Sequence, residues 1–273
     1  MKTTIKEATD NTITVEYNDF NEAEWILQNC KTIFTRLAAK WENGEDNLHW
    51  LDGYNQERND RNTFHWACTT DPNRCLGENR LPRDLICNWE RWLEKDEKAV
   101  FRRFAVKAGS SLLDVMKHKI QTRIDGKYGL EILKRSYVLC RIIEYPKSKE
   151  QGLLALEHYD PSLLTLLYGA TEDGLEIKDQ LDRWTAMSQK RFSYIINGRW
   201  LEYMNESTEA ALHRVQINKS DKRRYSLQCF LLLDADRIKM DEGSDENMLQ
   251  AIKKIRSHYK NTFVDYTPAE RWN

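Results

Sequence analysis

Apolar and polar positions alternate near the start of the chain. In "NTITVEY", Ile13, Val15 and Tyr17 fall on one side of a period-two pattern and predict a strand. The period then changes. Through "DFNEAEWILQNCKTIFTRLAAKW" apolar residues recur at helical spacing from Ala23 to Trp41, with Asp19 or Asn21 as N-cap and Gly44 beyond the end. Residues 43–83 carry no period, are rich in Asn, Asp and Arg, and contain Pro72, Gly77 and Pro82. They read as a long irregular segment, a length that function, a metal or disorder usually explains. Helical spacing returns at Leu85, Trp89, Trp92 and Leu93, and again at Val100, Phe101, Phe104 and Ala108. Leu112, Leu113, Met116, Ile120 and Ile124 continue the series after Gly109-Ser110, which reads as a helix break.

Further on the pattern is mixed. "LKRSYVLCRIIEYP" fits a buried helix or a strand, and Pro146 ends either. "PSLLTLLYG" reads as a short helix. "RFSYIINGRWLEYM" suggests a hairpin about Asn197-Gly198, "LHRVQINK" a strand and "YSLQCFLLLD" a buried strand. "DENMLQAIKKIRSHY" predicts a helix with Met248, Ile252, Ile255 and Tyr259 on one face. The expected class is α+β, with N- and C-terminal strand–helix units forming a sheet around a large helical middle. The expected segments are 1–80, a basic helical region 81–190, and a strand-rich 191–273, with the first and third in one domain.

Composition adds bounds. The 273 residues are 40% hydrophobic and 31% charged, with nine tryptophans, which suits a soluble protein with a substantial core. No apolar run approaches the roughly 18 residues of a membrane span, so no membrane partner is expected. The polar N-terminus lacks the apolar stretch of a secretory signal, so a cytoplasmic location is expected, with the six cysteines mostly free thiols. Net charge is −1, yet between Arg102 and Arg141 ten basic residues face three acidic ones. Such a surplus suits a phosphate backbone, which makes Arg102, Arg103, Lys107, Lys117, Lys119 and Arg123 candidate nucleic-acid contacts. A solvated helix face explains the same charges.

The chemistry candidates start with "FLLLDAD". A buried strand ending in acids at i and i+2 puts Asp234 and Asp236 on the same side. Held about 4 Å apart they would repel by roughly 4 kcal/mol at a surface-like dielectric, and Mg2+ would relieve this. Glu16, in the first strand and followed by a helix, could add a third carboxylate at the same sheet edge. This layout resembles the Toprim domain of topoisomerases, primases and some nucleases, although Tyr17 stands where that family has a glycine. From the basic middle and the strand-end carboxylates, not from that resemblance, the expected function is a magnesium-dependent phosphodiester nuclease acting on nucleic acid. The alternative is a non-enzymatic nucleic-acid-binding protein, or a protein-interaction subunit of a larger complex.

Three lesser patterns accompany it. His65, Cys68, Cys75 and Cys87 form a candidate structural Zn2+ site that would order the irregular segment. Glu176-Ile177-Lys178, with Asp160 upstream, resembles the PD-(D/E)xK nuclease motif. "FRRFAVKAGSSLLDVMKHKIQ" resembles a helix-turn-helix, with Lys117, His118 and Lys119 on the recognition helix.

Overall fold

Strand β12 (Arg224–Leu233) organises the molecule: all ten of its residues are buried. A strand buried on both faces needs a layer on each side, and the chain supplies helices on one and a second sheet on the other. The computed structural model describes residues 4–9, 12–16, 21–44, 53–56, 61–69, 89–123, 126–145, 147, 152–189, 192–205, 207–216, 222–238 and 246–261. In chain order these hold β1 (Thr4–Thr9), β2 (Thr12–Glu16), α1 (Asn21–Glu42), β3 (Gly53–Gln56) and β4 (Asn62–Thr69). Next come α2 (Lys95–Arg123), α3 (Gly126–Arg135), β5 (Ser136–Tyr145), β6 (Leu153–His158) and β7 (Leu164–Ala170). The remainder are β8 (Leu175–Lys178), β9 (Trp184–Ala186), β10 (Ser193–Asn197), α4 (Arg199–Met204), β11 (His213–Gln216), β12 and α5 (Glu246–Tyr259).

Eight strands form one sheet in the order β1-β2-β10-β7-β12-β5-β4-β3, and four form another in the order β6-β11-β8-β9. Every pairing is antiparallel. The result is a jelly-roll-like fold, an architecture in which two sheets enclose an interior. Alternation along β12 assigns its faces. Tyr225, Leu227, Cys229 and Leu231 join the main core with Ile26, Phe34, Phe101 and Phe104 of α1 and α2. Arg224, Gln228 and Phe230, on the other face, line a cavity.

The α+β expectation with a helical middle is thereby corrected. Residues 136–145 and 164–170 are strands, not helix. Apolar side chains on both faces erase the period-two signal, so a central strand looks like a buried helix in sequence. Gly109 and Ser110 lie inside α2, which runs unbroken for 29 residues and so leaves no helix-turn-helix. The irregular segment contains β3 and β4, a paired hairpin. Asn197-Gly198 is no hairpin turn, because β10 passes directly into α4. Gly198 is needed for another reason: a Cβ there would sit 2.1 Å from the Ser162 carbonyl oxygen. Among the described residues, no helix is long and apolar enough to cross a membrane.

Candidate metal centre and its cavity

His158 ends β6 and is paired in register with His213, which begins β11. That ladder shifts register on either side of Val215, and β6 is the edge strand of its sheet. The two imidazoles lie 4.3 Å apart between ring centres. Asp160, two residues past His158, completes the group: its Oδ1 is 3.7 Å from His158 Nε2 and its Oδ2 3.6 Å from His213 Nε2. One donor atom from each residue falls within 4.8 Å of the others, the spacing a single ion would span.

The backbone fixes how the rings are presented. His158 Nδ1 is 2.7 Å from the Leu156 carbonyl oxygen, and His213 Nδ1 is 3.1 Å from that of Ala211. A nitrogen facing a carbonyl must carry the proton, so each ring turns the lone pair of Nε2 toward Asp160. Carbonyl support of this kind orients histidine ligands around a metal. Burial, reinforced by the neighbouring His213, lowers the His158 pKa to about 4, which keeps that ring neutral. Burial also opposes ionisation of Asp160, but His213, His158 and a Thr165 hydrogen bond outweigh it and hold its carboxyl below the ordinary value. Asp160 is almost wholly enclosed, and its Oδ2 has no hydrogen-bond partner. A buried charged oxygen left so costs stability unless something fills the gap.

The cluster opens onto a cavity of about 500 Å³ between the sheets. At one end Arg224, 3% exposed, donates from Nε to the Glu172 carbonyl at 2.9 Å and from Nη2 to Gln189 Oε1 at 2.5 Å. Its guanidinium lies 5.1 Å from the Tyr145 ring centre. Burial pulls its pKa below the usual arginine value. Nη1 of Arg224 and Oγ of Ser226 are both buried without a hydrogen-bond partner. Two positions apart on one strand, they fall on the same face, and Arg224 lines the cavity there. Gly174 shapes this end: its φ of +141° suits glycine, and a Cβ would come 2.8 Å from the Gln216 carbonyl.

The family model described as the 2OG-Fe(II) oxygenase superfamily matches residues 136–232, a span that contains His158, Asp160, His213 and Arg224. No curated protein sequence matches the chain. Several solved structures share its fold. One, from Shewanella oneidensis and described as a candidate oxygenase, is 19% identical, with 90% of each chain covered and a TM-score of 0.64. The dioxygenase for auxin oxidation 1 from Arabidopsis thaliana, in complex with 2-oxoglutarate, is 15% identical over 84% of this chain and 87% of its own, with a TM-score of 0.63. A candidate 2OG-Fe(II) oxygenase family protein from Caulobacter crescentus is 18% identical over 89% and 90%, with a TM-score of 0.62.

These findings overturn the nuclease reading, its binding-protein alternative and both metal assignments. The metal-ligand cluster found among the described residues is two imidazoles and a carboxylate, whereas Mg2+ takes oxygen ligands. Asp234 is buried at the end of β12. Asp236 is exposed, and Arg256 answers its charge from 3.6 Å. Glu16 is remote from them: Val15 pairs with Ser193 of β10, at the end of the sheet where β12 begins rather than ends. Of the four expected Zn2+ ligands, His65 is a buried residue of β4 that lines the cavity. Positions 65 and 68 of that strand are three apart and so fall on opposite faces; Cys75 and Cys87 lie outside the described residues.

The basic residues of α2 mostly meet acids of the same molecule. Arg102 pairs with Glu90, Lys117 with Asp114 at 3.1 Å, and Arg103 and Lys107 with Glu22 at 3.4 and 2.7 Å. Lys119 is half-buried, and Arg123 ends the helix. Glu176 and Lys178 belong to β8 and pair with Arg214 and Asp182. Sequence reasoning missed His158, His213 and Arg224. Their signal was present: a His-x-Asp at a strand end, a later histidine, and an arginine opening a wholly buried strand.

Proposed function

We propose that this chain is an oxygenase that uses iron(II) and 2-oxoglutarate. The observation that carries the reading is the His158–Asp160–His213 cluster facing a cavity whose far end is lined by the buried Arg224, with its Nη1 unpartnered. Two histidines and one carboxylate with open positions are the ligand set of non-haem iron(II) oxygenases. The residues fit the group on their own chemistry, because both Nε2 lone pairs and the partnerless Asp160 Oδ2 converge. The family match and the shared fold support the same reading.

When bound, iron and 2-oxoglutarate would supply oxidative decarboxylation of the keto acid coupled to oxidation of a substrate. The chain's own residues do the positioning. His158, Asp160 and His213 would hold the metal on one face, leaving its other face toward the cavity. Arg224 would receive the distal carboxylate of the keto acid on Nη1, with Ser226 donating its hydroxyl proton to the same group. Glu172 and Gln189 fix the guanidinium before anything binds, so little ordering remains to oppose binding. Leu139, Ile143, Leu167 and Phe230 line the remaining wall and exclude water.

The test is spectroscopic. Iron(II) and 2-oxoglutarate added without oxygen should produce a visible charge-transfer absorption, and admitting air should release succinate. His213→Ala should abolish both. Wild-type protein that binds neither iron nor 2-oxoglutarate would refute the proposal.

A further inference from the structure

The segments that carry the metal-ligand cluster lack a firm ladder of their own. His158 ends one short strand and His213 opens another, their pairing shifts register on either side of Val215, and Asp160 lies beyond β6 altogether. A working metal site needs its ligands held to about 0.5 Å. That hold comes from α4, the short helix that continues β10 of the larger sheet.

The start of α4 grips the chain just after His158. Arg199 N donates to the Asp160 carbonyl at 2.9 Å, Trp200 N to that of Ser162 at 3.0 Å, and Gly198 N to that of Leu163 at 3.0 Å. The Arg199 guanidinium lies 3.9 Å from the ring centre of Tyr159, the residue between the two ligands, and Tyr159 lines the cavity. A planar cation that close stacks on the ring and fixes its plane. Nη1 of the same guanidinium donates to both carboxylate oxygens of Glu202, at 2.9 and 2.8 Å. Glu202 then reaches the other segment, its Oε2 accepting from Ala210 N at 3.2 Å. The next residue, Ala211, donates its N–H to the Asn197 carbonyl at 3.0 Å and presents its own carbonyl to His213 Nδ1. An unbroken chain of contacts thus runs from Tyr159 through Arg199, Glu202 and Ala210 to the carbonyl that orients His213.

We infer that Arg199 and Glu202 are positioning residues for the metal centre, a charged clamp that sets His158 and Asp160 against His213. The inference rests on the oxygenase reading only for the presence of a metal. The clamp's side chains are 31% and 32% exposed. An ion pair so open to water adds little to stability. Its removal should therefore act on ligand geometry far more than on folding, and that difference can be measured.

The test is titration of the metal-free protein with Co2+, whose visible absorption bands report ligand geometry, beside urea denaturation of each variant. Arg199→Met should lower Co2+ affinity about tenfold or more and alter the bands, the loss typical of a partner that orients metal ligands. Glu202→Ala should act in the same direction. Arg199→Lys, which keeps a cation over the ring without the planar fork, should recover part of the affinity. Lys107→Met, which breaks the ion pair between α1 and α2, is the comparator for a merely structural loss and should leave affinity and bands unchanged. Wild-type affinity and bands in both Arg199→Met and Glu202→Ala would overturn the clamp. So would an affinity loss of equal size in Lys107→Met, because it would then follow from general destabilisation. If Arg199→Met does not fold, Arg199→Lys and Glu202→Gln carry the test, each with a loss of about threefold or more expected, and no loss in either overturns the clamp. Wild type that binds Co2+ but forms no succinate with iron and 2-oxoglutarate would sink the oxygenase reading and leave the clamp standing. Wild type that forms succinate while both variants keep wild-type Co2+ binding would sink the clamp alone. Wild type that binds no Co2+ would sink both.

Discussion

Asp160 and Arg224 are single charges with unmet hydrogen-bonding capacity inside the protein, and their behaviour on substitution follows from that. Asp160→Asn keeps the shape but removes the anion that both imidazoles face. Metal affinity, followed by titration with Co2+, should fall by about a hundredfold or more, since loss of an outer-shell partner alone costs tenfold to a hundredfold. Without metal the variant should be somewhat less stable than wild type near neutrality, because a carboxyl held below its ordinary pKa stabilises the fold while ionised. Arg224→Gln should weaken 2-oxoglutarate binding by about 1.5–3 kcal/mol, the worth of hydrogen bonds to a charged group. Iron binding should be unaffected. Isothermal titration of each ligand separately checks this division of labour.

Elements differ in how plainly their residues announce them. Helices α1 and α5 were readable because a single face is apolar and the other polar: Ile26, Ile33 and Leu37 are buried on one, Met248, Ile252 and Ile255 on the other. Strand β12 is legible as buried from "FLLL", but nothing local marks its first residue, Arg224, as belonging to the interior. Strands β5 and β7 gave no period because helices cover one face and the cavity or second sheet the other. The metal site hid for a different reason. β6 and β11 are short, only partly buried strands, and their histidines meet solely through cross-strand register, which no local pattern encodes. Between helices, Glu22 of α1 receives Lys107 and Arg103 of α2. Burial raises its pKa, but the Lys107 hydrogen bond and the two cations more than reverse this, so the folded value lies below 4.5. A depressed carboxyl pKa stabilises the fold above the unfolded value and loses that contribution as pH falls through the folded one. Lys107→Met should therefore cost about 0.5–1 kcal/mol near neutrality, and its difference from wild type in urea denaturation should shrink below pH 4.5.

For the whole molecule, one tight junction between the strands limits tolerated change. Gly198→Ala would force a methyl group into the Ser162 backbone between β10 and α4, and should destabilise by about 3 kcal/mol or more, read as a lowered thermal midpoint. Sheet order was not legible at all, since neighbours such as β2 and β10, or β4 and β5, are far apart in the chain and are chosen by global packing. The irregular ladder joining His158 to His213 has a mechanical consequence. An edge strand tied by few, out-of-register bonds opens easily on its own. A metal held by both histidines would rivet β6 to β11, so that strand opening and ion release become one event. Amide hydrogens of residues 153–158 should then exchange rapidly in chelator-treated protein and slow down as iron, cobalt or zinc is added. The slowing should saturate with site occupancy, with about 2.7 kcal/mol of protection at a hundredfold excess over the dissociation constant.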